Sequence, residues 1–429
     1  NHCFPTPNPS HSSMDISDTI EVTIDDVAYG GRGLARYEGL VVFIPNALPG
    51  EHIIARITTL HKNYAEAEIV EITEPSEKRV KPFCPLYKIC PGCCYQHTDY
   101  QEEVNFKQNQ LISFMKRWAG TDPSLGQNPV PSPADKAYRN KITLHSSDGN
   151  LGYFGEDNQT VIDTATCPIA SNGINTLLSE LRNDPEFIND LSDQTSVILR
   201  DTESEGPIYW LTNRVRAASK NGYDSLASCH EAKKPFLEKY VSEKSPIGSI
   251  AVAKDGFFQV NNGISSLLLS YFAEIIDQLA PVNLIDAYCG AGIFGLISAE
   301  QGVERVIGMD SHGTSIEAAE ENAQKYNLTD RCTFMNRHVS ASLEETLKEL
   351  GAARTVLLLD PPRKGLDKPA TRAIVSHPPD NIIYVSCAPD TMARDIARLS
   401  SAGYSVKSFR LFDMFPRTKY FETVTVLTR

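Results

Sequence analysis

The sequence predicts an α/β protein in which a small β-barrel and a central α+β segment precede a C-terminal, doubly wound parallel-sheet domain. Three observations predict it. From about residue 280, apolar strand-like runs (VNLIDAY, RVIGMD, TVLLLD, NIIYVS) alternate with helical stretches (SIEAAEENAQKY, ASLEETLKEL, MARDIARL), the rhythm of a parallel sheet wrapped by helices. Between Ile20 and Ile72, short runs (IEVTI, LVVFIP, EHIIARI, AEAEIVEI) are punctuated by Gly30, Gly31, Gly33, Gly39 and Pro49-Gly50, the spacing of a small barrel. With 429 residues, the chain also exceeds what a single core usually organises.

In chain order, residues 1–14 are rich in Pro, Ser, Asn and His with little to bury, and are expected to form a disordered tail. Residues 15–75 are the barrel. Arg32, Arg36, Lys62 and Tyr64 could give it an RNA face, or be solvated loop side chains. Residues 76–255 form the central domain. In it a cysteine-rich loop precedes a helix at about 99–120, expected to pack on the catalytic domain, and the strand-like runs NKITLH and PIYWLTN follow. Residues 256–429 are the α/β domain.

Composition narrows the function. Hydrophobic residues make up 41% of the chain and charged residues 22%, as in soluble globular proteins. No apolar run is long enough to span a bilayer. The first residues carry no basic segment followed by an apolar stretch, so a cytoplasmic, membrane-free protein is expected. The net charge of −13 argues against nonspecific nucleic-acid binding over the whole surface but leaves room for a local basic face. With no self-complementary surface readable, a monomer is expected.

Four of the ten cysteines fall between Cys84 and Cys94. Cys84, Cys90 and Cys93 have the spacing C-x5-C-x2-C, and Cys167 stands apart in TATCPIA. Thiolates are soft ligands. Three close cysteines and one distant one suit a 4Fe-4S cluster first, zinc second and unliganded thiols third. Cys94 adjoins Cys93, so their side chains should diverge, and Cys94 is not counted as a ligand.

In LIDAYCGAGIFG a strand ends and a helix begins, with Gly290, Gly292 and Gly295 matching G-x-G-x-x-G. Asp310 closes the next strand and could accept both ribose hydroxyls of a nucleotide. A nicotinamide-dependent oxidoreductase fits this pattern too. Two features favour S-adenosyl-L-methionine: Asp286 precedes the glycines in D-x-x-C-G-x-G, and LLLDPPRKG follows a later strand, where two prolines stiffen a turn aimed by Asp360 at a base or cofactor.

A methyl transfer to uracil C5 needs a thiolate at C6 to activate C5, and a base to remove the C5 proton afterwards. Cys387, in IIYVSCAPDT, lies just past a strand's carboxyl end, where ligands gather on open α/β sheets; read by itself, it is as well a small buried hydrophobe. Glu422, in RTKYFETVTVL, opens an alternating terminal strand and by itself reads as an exposed strand-end charge.

Together these residues resemble the RNA 5-methyluridine (uracil-C5) methyltransferase family, and its 23S ribosomal RNA members in particular, from about residue 15 to the C-terminus. The carriers are CPLYKICPGCCYQHTDY, AYRNKI, FFQVN, DAYCGAG, LDPPRKGL, VSCAPDTMARD and DMFPRTKYFE. The resemblance implies an OB-like TRAM barrel that binds RNA, a 4Fe-4S cluster on Cys84, Cys90, Cys93 and Cys167 that supports the RNA-binding part, and a Rossmann-like domain that takes S-adenosyl-L-methionine. It implies that Cys387 is the nucleophile and Glu422 the base, that Gln259 and Asp360 contact cofactor or uracil, and that Phe257 stacks on a flipped nucleotide. Tyr288, Gly290, Gly292, Ile293, Asp310 and His338 fall in the cofactor pocket. The expected reaction is methylation of a uridine in 23S rRNA; the same reaction on tRNA and a noncatalytic RNA-binding or assembly role are the alternatives. This chain departs from the family at Ala388, where Asn is usual, at Ile293, where a polar residue is common, and at His338, where Asn often contacts the adenine.

Overall fold

The computed structural model describes residues 14–193, 195–213, 236–352 and 354–429. The expected tail lies, apart from Met14, outside the described residues. The chain divides into two compact units. One comprises residues 1–88, 92–110 and 417–419; the other comprises 89–91, 111–416 and 420–429. Among the described residues no helix is long and apolar enough to cross a membrane.

The first unit is built on five strands, β1 (Thr19–Ala28), β2 (Arg32–Tyr37), β3 (Leu40–Pro45), β4 (His52–Leu60) and β5 (Tyr64–Glu74), closed in the order β1-β2-β3-β5-β4. The alternation read in the sequence is the barrel's inside and outside. Ile20, Val22, Ile24, Ala35, Val42, Ile44, Ile53, Ala55, Ile57, Ala65 and Ala67 fill the interior, while their neighbours along each strand face out. Glu51 is fully buried beside the barrel, where Arg79 donates to its carboxylate. That guanidinium, with the amides of Leu48 and Ser76, holds the Glu51 carboxyl below its ordinary value against the opposing effect of burial.

α1 (Tyr100–Ala119) has acidic residues in its first turn and basic ones in its last, in line with the helix dipole. Within the second unit, β6 (Lys141–Ser147), β7 (Asn150–Phe154) and β8 (Val161–Asp163) precede α2 (Asn172–Arg182) and α3 (Pro185–Asp190). With β9 (Thr195–Thr202) and β10 (Gly206–Asn213) the strands form a sheet of order β10-β9-β6-β7-β8. Ile174, Leu177, Leu178 and Leu181 of α2 share a core with Ile142, Leu144, Val197 and Leu199 of this sheet. A hairpin of β11 (Tyr240–Ser245) and β12 (Gly248–Ala253) follows. Its Glu243 pairs with Arg200 at 2.6 Å, both side chains essentially excluded from solvent.

The hairpin leads into α4 (Asn262–Leu279) and the α/β domain: β13 (Asn283–Ala287), α5 (Ile293–Glu300), β14 (Arg305–Asp310), α6 (Gly313–Lys325), β15 (Cys332–Asn336), α7 (Val339–Leu350), β16 (Thr355–Leu359), α8 (Lys368–Ser376), β17 (Asn381–Ser386), α9 (Pro389–Leu399), β18 (Ser405–Phe412) and β19 (Glu422–Thr428). The sheet order is β15-β14-β13-β16-β17-β19-β18. Strand order reverses between β13 and β16, so the crevice for a ligand opens at their carboxyl ends. β19 runs antiparallel between β17 and β18. It does not alternate: Glu422 to Leu427 are all buried, because an interior strand covered on both faces has no solvent side.

Candidate active site

The topology brings the expected catalytic residues to one edge. Tyr288 follows β13, Asp310 ends β14, Asp360 follows β16 and Cys387 follows β17. Ser386 of β17 pairs with Thr423 of antiparallel β19, so the next residues outward, Cys387 and Glu422, meet at the same rim. A strand that enters the sheet there thus supplies its first residue to a site otherwise made of strand ends.

The turn after β13 is shaped for close approach. Tyr288, Gly290 and Gly292 have φ of 70°, 53° and 79°. A Cβ on Gly292 would lie 2.7 Å from the Phe334 ring, so glycine is required there on both counts. A Cβ on Gly290 would meet nothing within 4 Å, which leaves open space where a ligand can reach backbone amides. Asp310 accepts the Gly290 amide at 3.1 Å and the His312 amide at 2.8 Å. Asp286 accepts the Gly295 amide at 3.0 Å, and its other oxygen is buried with no hydrogen-bond partner. Burial pushes the Asp286 carboxyl up to about 7, against the Gly295 hydrogen bond. Glycines, an unmet buried carboxylate oxygen and an acid at the second strand tip fit a nucleoside-bearing cofactor. Ile293 packs partly buried against the apolar core, and His338 is exposed at the N-terminal cap of α7, where its side chain caps nothing.

At the rim, burial raises the Asp360 carboxyl to about 7, with Asp310 adding to it. Glu422 is 2% exposed rather than a solvated strand end. Its Oε2 is buried without a hydrogen-bond partner, and burial, then Asp360, holds its carboxyl well above the ordinary value while Arg363 opposes. The Cys387 thiol is pushed up to about 11 by burial and by Glu422; a hydrogen bond from Arg363 works the other way. Arg363 also lies over the Tyr420 ring, 4.0 Å from its centroid. The site therefore pairs a carboxyl and a thiol that both resist ionisation at neutral pH with one cation that favours the thiolate.

Phe257 is 68% exposed, a large apolar side chain kept in solvent. Two residues on, Gln259 has its amide oxygen buried and without a hydrogen-bond partner. The segment is held by Asn140, whose amide hydrogen-bonds the Asn262 side chain at 2.6 Å and whose backbone N–H donates to Val260 at 2.8 Å. Asp255 pairs with His312 at 3.7 Å, tying this segment to the tip of β14.

The structure gives no support to the cluster expected on Cys84, Cys90, Cys93 and Cys167. Among the described residues no group of three or more His, Cys, Asp or Glu could hold a metal ion. All four are half-buried, and Tyr153 hydrogen-bonds the Cys167 thiol. Cys94, expected not to be a ligand, is half-buried against Val27, Leu48, Tyr95 and Phe106, with its thiol held above the ordinary value by burial.

Arg363, Tyr420, Asp255 and His312 were not singled out from the sequence. Arg363 sits inside the DPPRKG run, and a cation one turn beyond an acid at a strand end was the available signal. The His312–Asp255 pair joins residues far apart in the chain and had none.

The tRNA (uracil-5-)-methyltransferase family profile matches residues 226–429, and the TRAM domain profile matches residues 16–70. An uncharacterized RNA methyltransferase of Listeria innocua is 31% identical, the match covering 96% of this chain and 98% of the relative. One of Protochlamydia amoebophila is also 31% identical, covering 97% and 99%. Among solved structures, the tRNA (uracil-54, C5)-methyltransferase of Pyrococcus abyssi, in complex with S-adenosyl-L-homocysteine, aligns with a TM-score of 0.70 over 95% of this chain and 100% of that one, at 22% identity. That likeness is one of fold.

Proposed function

Since the chain belongs to the RNA uracil-5-methyltransferase family and carries a TRAM domain, we propose that it methylates C5 of a uridine in 23S rRNA, with Cys387 as nucleophile and Glu422 as base. The observation that carries this reading is the rim where a half-buried thiol and a buried carboxyl, brought there by antiparallel β17 and β19, lie together beside Asp360 and Arg363.

S-adenosyl-L-methionine, when bound, supplies an electrophilic methyl group; Gly290, Gly292, Asp310 and Tyr288 are the residues that would hold it. Arg363 stabilises the Cys387 thiolate, which adds to C6 of the uracil and drives electron density toward C5. Gln259 and Asp360 hold the uracil edge, the buried Gln259 amide oxygen being ready to accept from a ring N–H. Asp360, raised to about 7, can donate to a carbonyl oxygen. Phe257 offers a flat face to a base taken out of its stack. After transfer, Glu422 removes the C5 proton, and the C6–S bond breaks to regenerate Cys387. An unionised Glu422 does not serve as base, so the reaction requires that the carboxyl ionise once substrate and cofactor are bound.

The same chemistry on tRNA is the second reading, favoured by the fold shared with the Pyrococcus abyssi enzyme, which acts on uracil-54 of tRNA. Mass-spectrometric mapping of 5-methyluridine in cells with and without the gene tests both. Loss from 23S rRNA supports the first reading, loss from tRNA the second, and no loss anywhere sinks the catalytic reading in favour of an RNA-binding role. A 4Fe-4S cluster on Cys84, Cys90, Cys93 and Cys167 rests on thiolate chemistry and spacing, and no step of the reaction runs through it. Iron and acid-labile sulfide in anaerobically purified protein support it; zinc alone contradicts it.

A further inference from the structure

The barrel carries an outward array of aromatic and cationic groups that its fold does not require. β2, β3 and β5 are neighbours, with Leu34 opposite Phe43, Val41 opposite Tyr64 and Phe43 opposite Glu66. Residues turned inward on these strands fill the core, so the alternate positions Arg32, Phe43, Tyr64 and Glu66 share the outer face, each half-buried. The hairpin between β4 and β5 is closed by the His61 amide donating to the Tyr64 carbonyl at 2.9 Å. Lys62 and Asn63 stand exposed at its tip.

This turn stacks the His61 and Tyr64 rings, centroids 4.2 Å apart and 22° from parallel. Tyr64 in turn meets Phe43 edge-on at 5.6 Å. Arg32 lies over the Phe43 ring at 4.8 Å, and its bond to Glu66 at 2.8 Å fixes it there. Holding three rings and a guanidinium in register at a wet surface contributes little to a closed barrel whose core is already filled. It does provide flat π surface at low entropic cost, flanked by cations at Lys62 and Arg36. Bases stack on such a surface whatever their sequence, and five-stranded barrels of this topology bind oligonucleotides on the β2–β3 side.

We propose that the His61–Tyr64–Phe43–Arg32 array is a stacking platform for an unpaired nucleobase of single-stranded RNA, held by ring contact more than by charge. Glu66 argues for that balance: it offsets the Arg32 charge, so the platform offers stacking surface with little net attraction for phosphate. The proposal rests on the reading of the chain as RNA-acting, but concerns RNA affinity alone.

The test uses the full chain and a fluorescently labelled, uridine-rich single-stranded RNA of about twelve nucleotides, followed by anisotropy. Tyr64→Ala is expected to weaken binding about tenfold, and His61→Ala, on an exposed turn, about fivefold. Tyr64→Phe, which keeps the ring, is expected to bind like the parent. The deficit should persist when salt is raised, because a stacking contact releases few counterions. Unchanged affinity in both alanine variants overturns the proposal. So does an equal loss in Tyr64→Phe, or a deficit that disappears at high salt. Because affinity is read without methyl transfer, a chain that bound RNA through the platform yet methylated nothing would contradict the proposed reaction and leave the platform standing.

Discussion

Arg363 decides how Cys387 works. Burial and Glu422 keep its thiol protonated, up to about 11, and the Arg363 hydrogen bond is the force in the other direction. A hydrogen bond to a charged group contributes about 1.5–3 kcal/mol, so Arg363→Gln should slow iodoacetamide alkylation of Cys387 about tenfold or more at fixed pH. Alkylation of the parent should still be rising with pH above 9, the thiol's ordinary value. Peptide mapping by mass spectrometry reads both; an Arg363→Gln protein alkylated as fast as the parent removes Arg363 from the mechanism. Cys387 was legible in the sequence because a cysteine after a strand in this fold is placed by the strand itself. The burial of Glu422 was not legible, since the sequence shows where a strand starts but not that β18 will cover its far side.

Two elements carry separable predictions. Ala388 is the N-terminal cap of α9 and makes no side-chain cap bond, with Pro389 in the first turn. Its amide instead donates to Ser386 Oγ at 3.0 Å. An asparagine there can accept a first-turn amide, so Ala388→Asn is expected to stabilise the protein by about 1 kcal/mol in denaturant melts; a lower midpoint would show that the turn after Cys387 has no room for it. The second element is the strap between β12 and α4. Its Asp255 lowers its own carboxyl by pairing with His312 and raises the imidazole above 6.5. A histidine raised on folding stabilises fully below its unfolded value near 6.5 and loses that contribution as pH rises through the folded value. Asp255 works in the opposite sense, contributing above 3.8 and failing as pH falls through its lowered value. The stability gap between parent and His312→Gln should therefore be widest from about pH 4.5 to 6.5 and close toward pH 8. A gap that widens with pH would mean that His312 is neutral in the fold.

On the scale of the whole molecule, the alternation of strand and helix after residue 280 sufficed to predict the parallel sheet, because each βαβ unit is local in sequence. The barrel was legible for the same reason: its hairpins are short. What could not be read is what distant segments do together. The Arg200–Glu243 pair joins β9 to β11, and residues 417–419, inside the run DMFPRTKYFE, belong to the first unit although Pro416 and Tyr420 on either side belong to the second. The site itself is a product of this scale, since Tyr288, Asp360, Cys387 and Glu422 come from four strands and meet only because β19 enters antiparallel at the rim where parallel strands end. We propose that these tips perform covalent catalysis on uridine C5. The most direct measurement is a denaturing gel of Glu422→Gln protein incubated with its RNA and S-adenosylmethionine. The expected result is a denaturant-resistant protein–RNA adduct that carries the new methyl group and is lost when Cys387→Ala is added. An RNA methylated at C5 by the Cys387→Ala protein, or no adduct with Glu422→Gln protein that still binds RNA and cofactor, would contradict it.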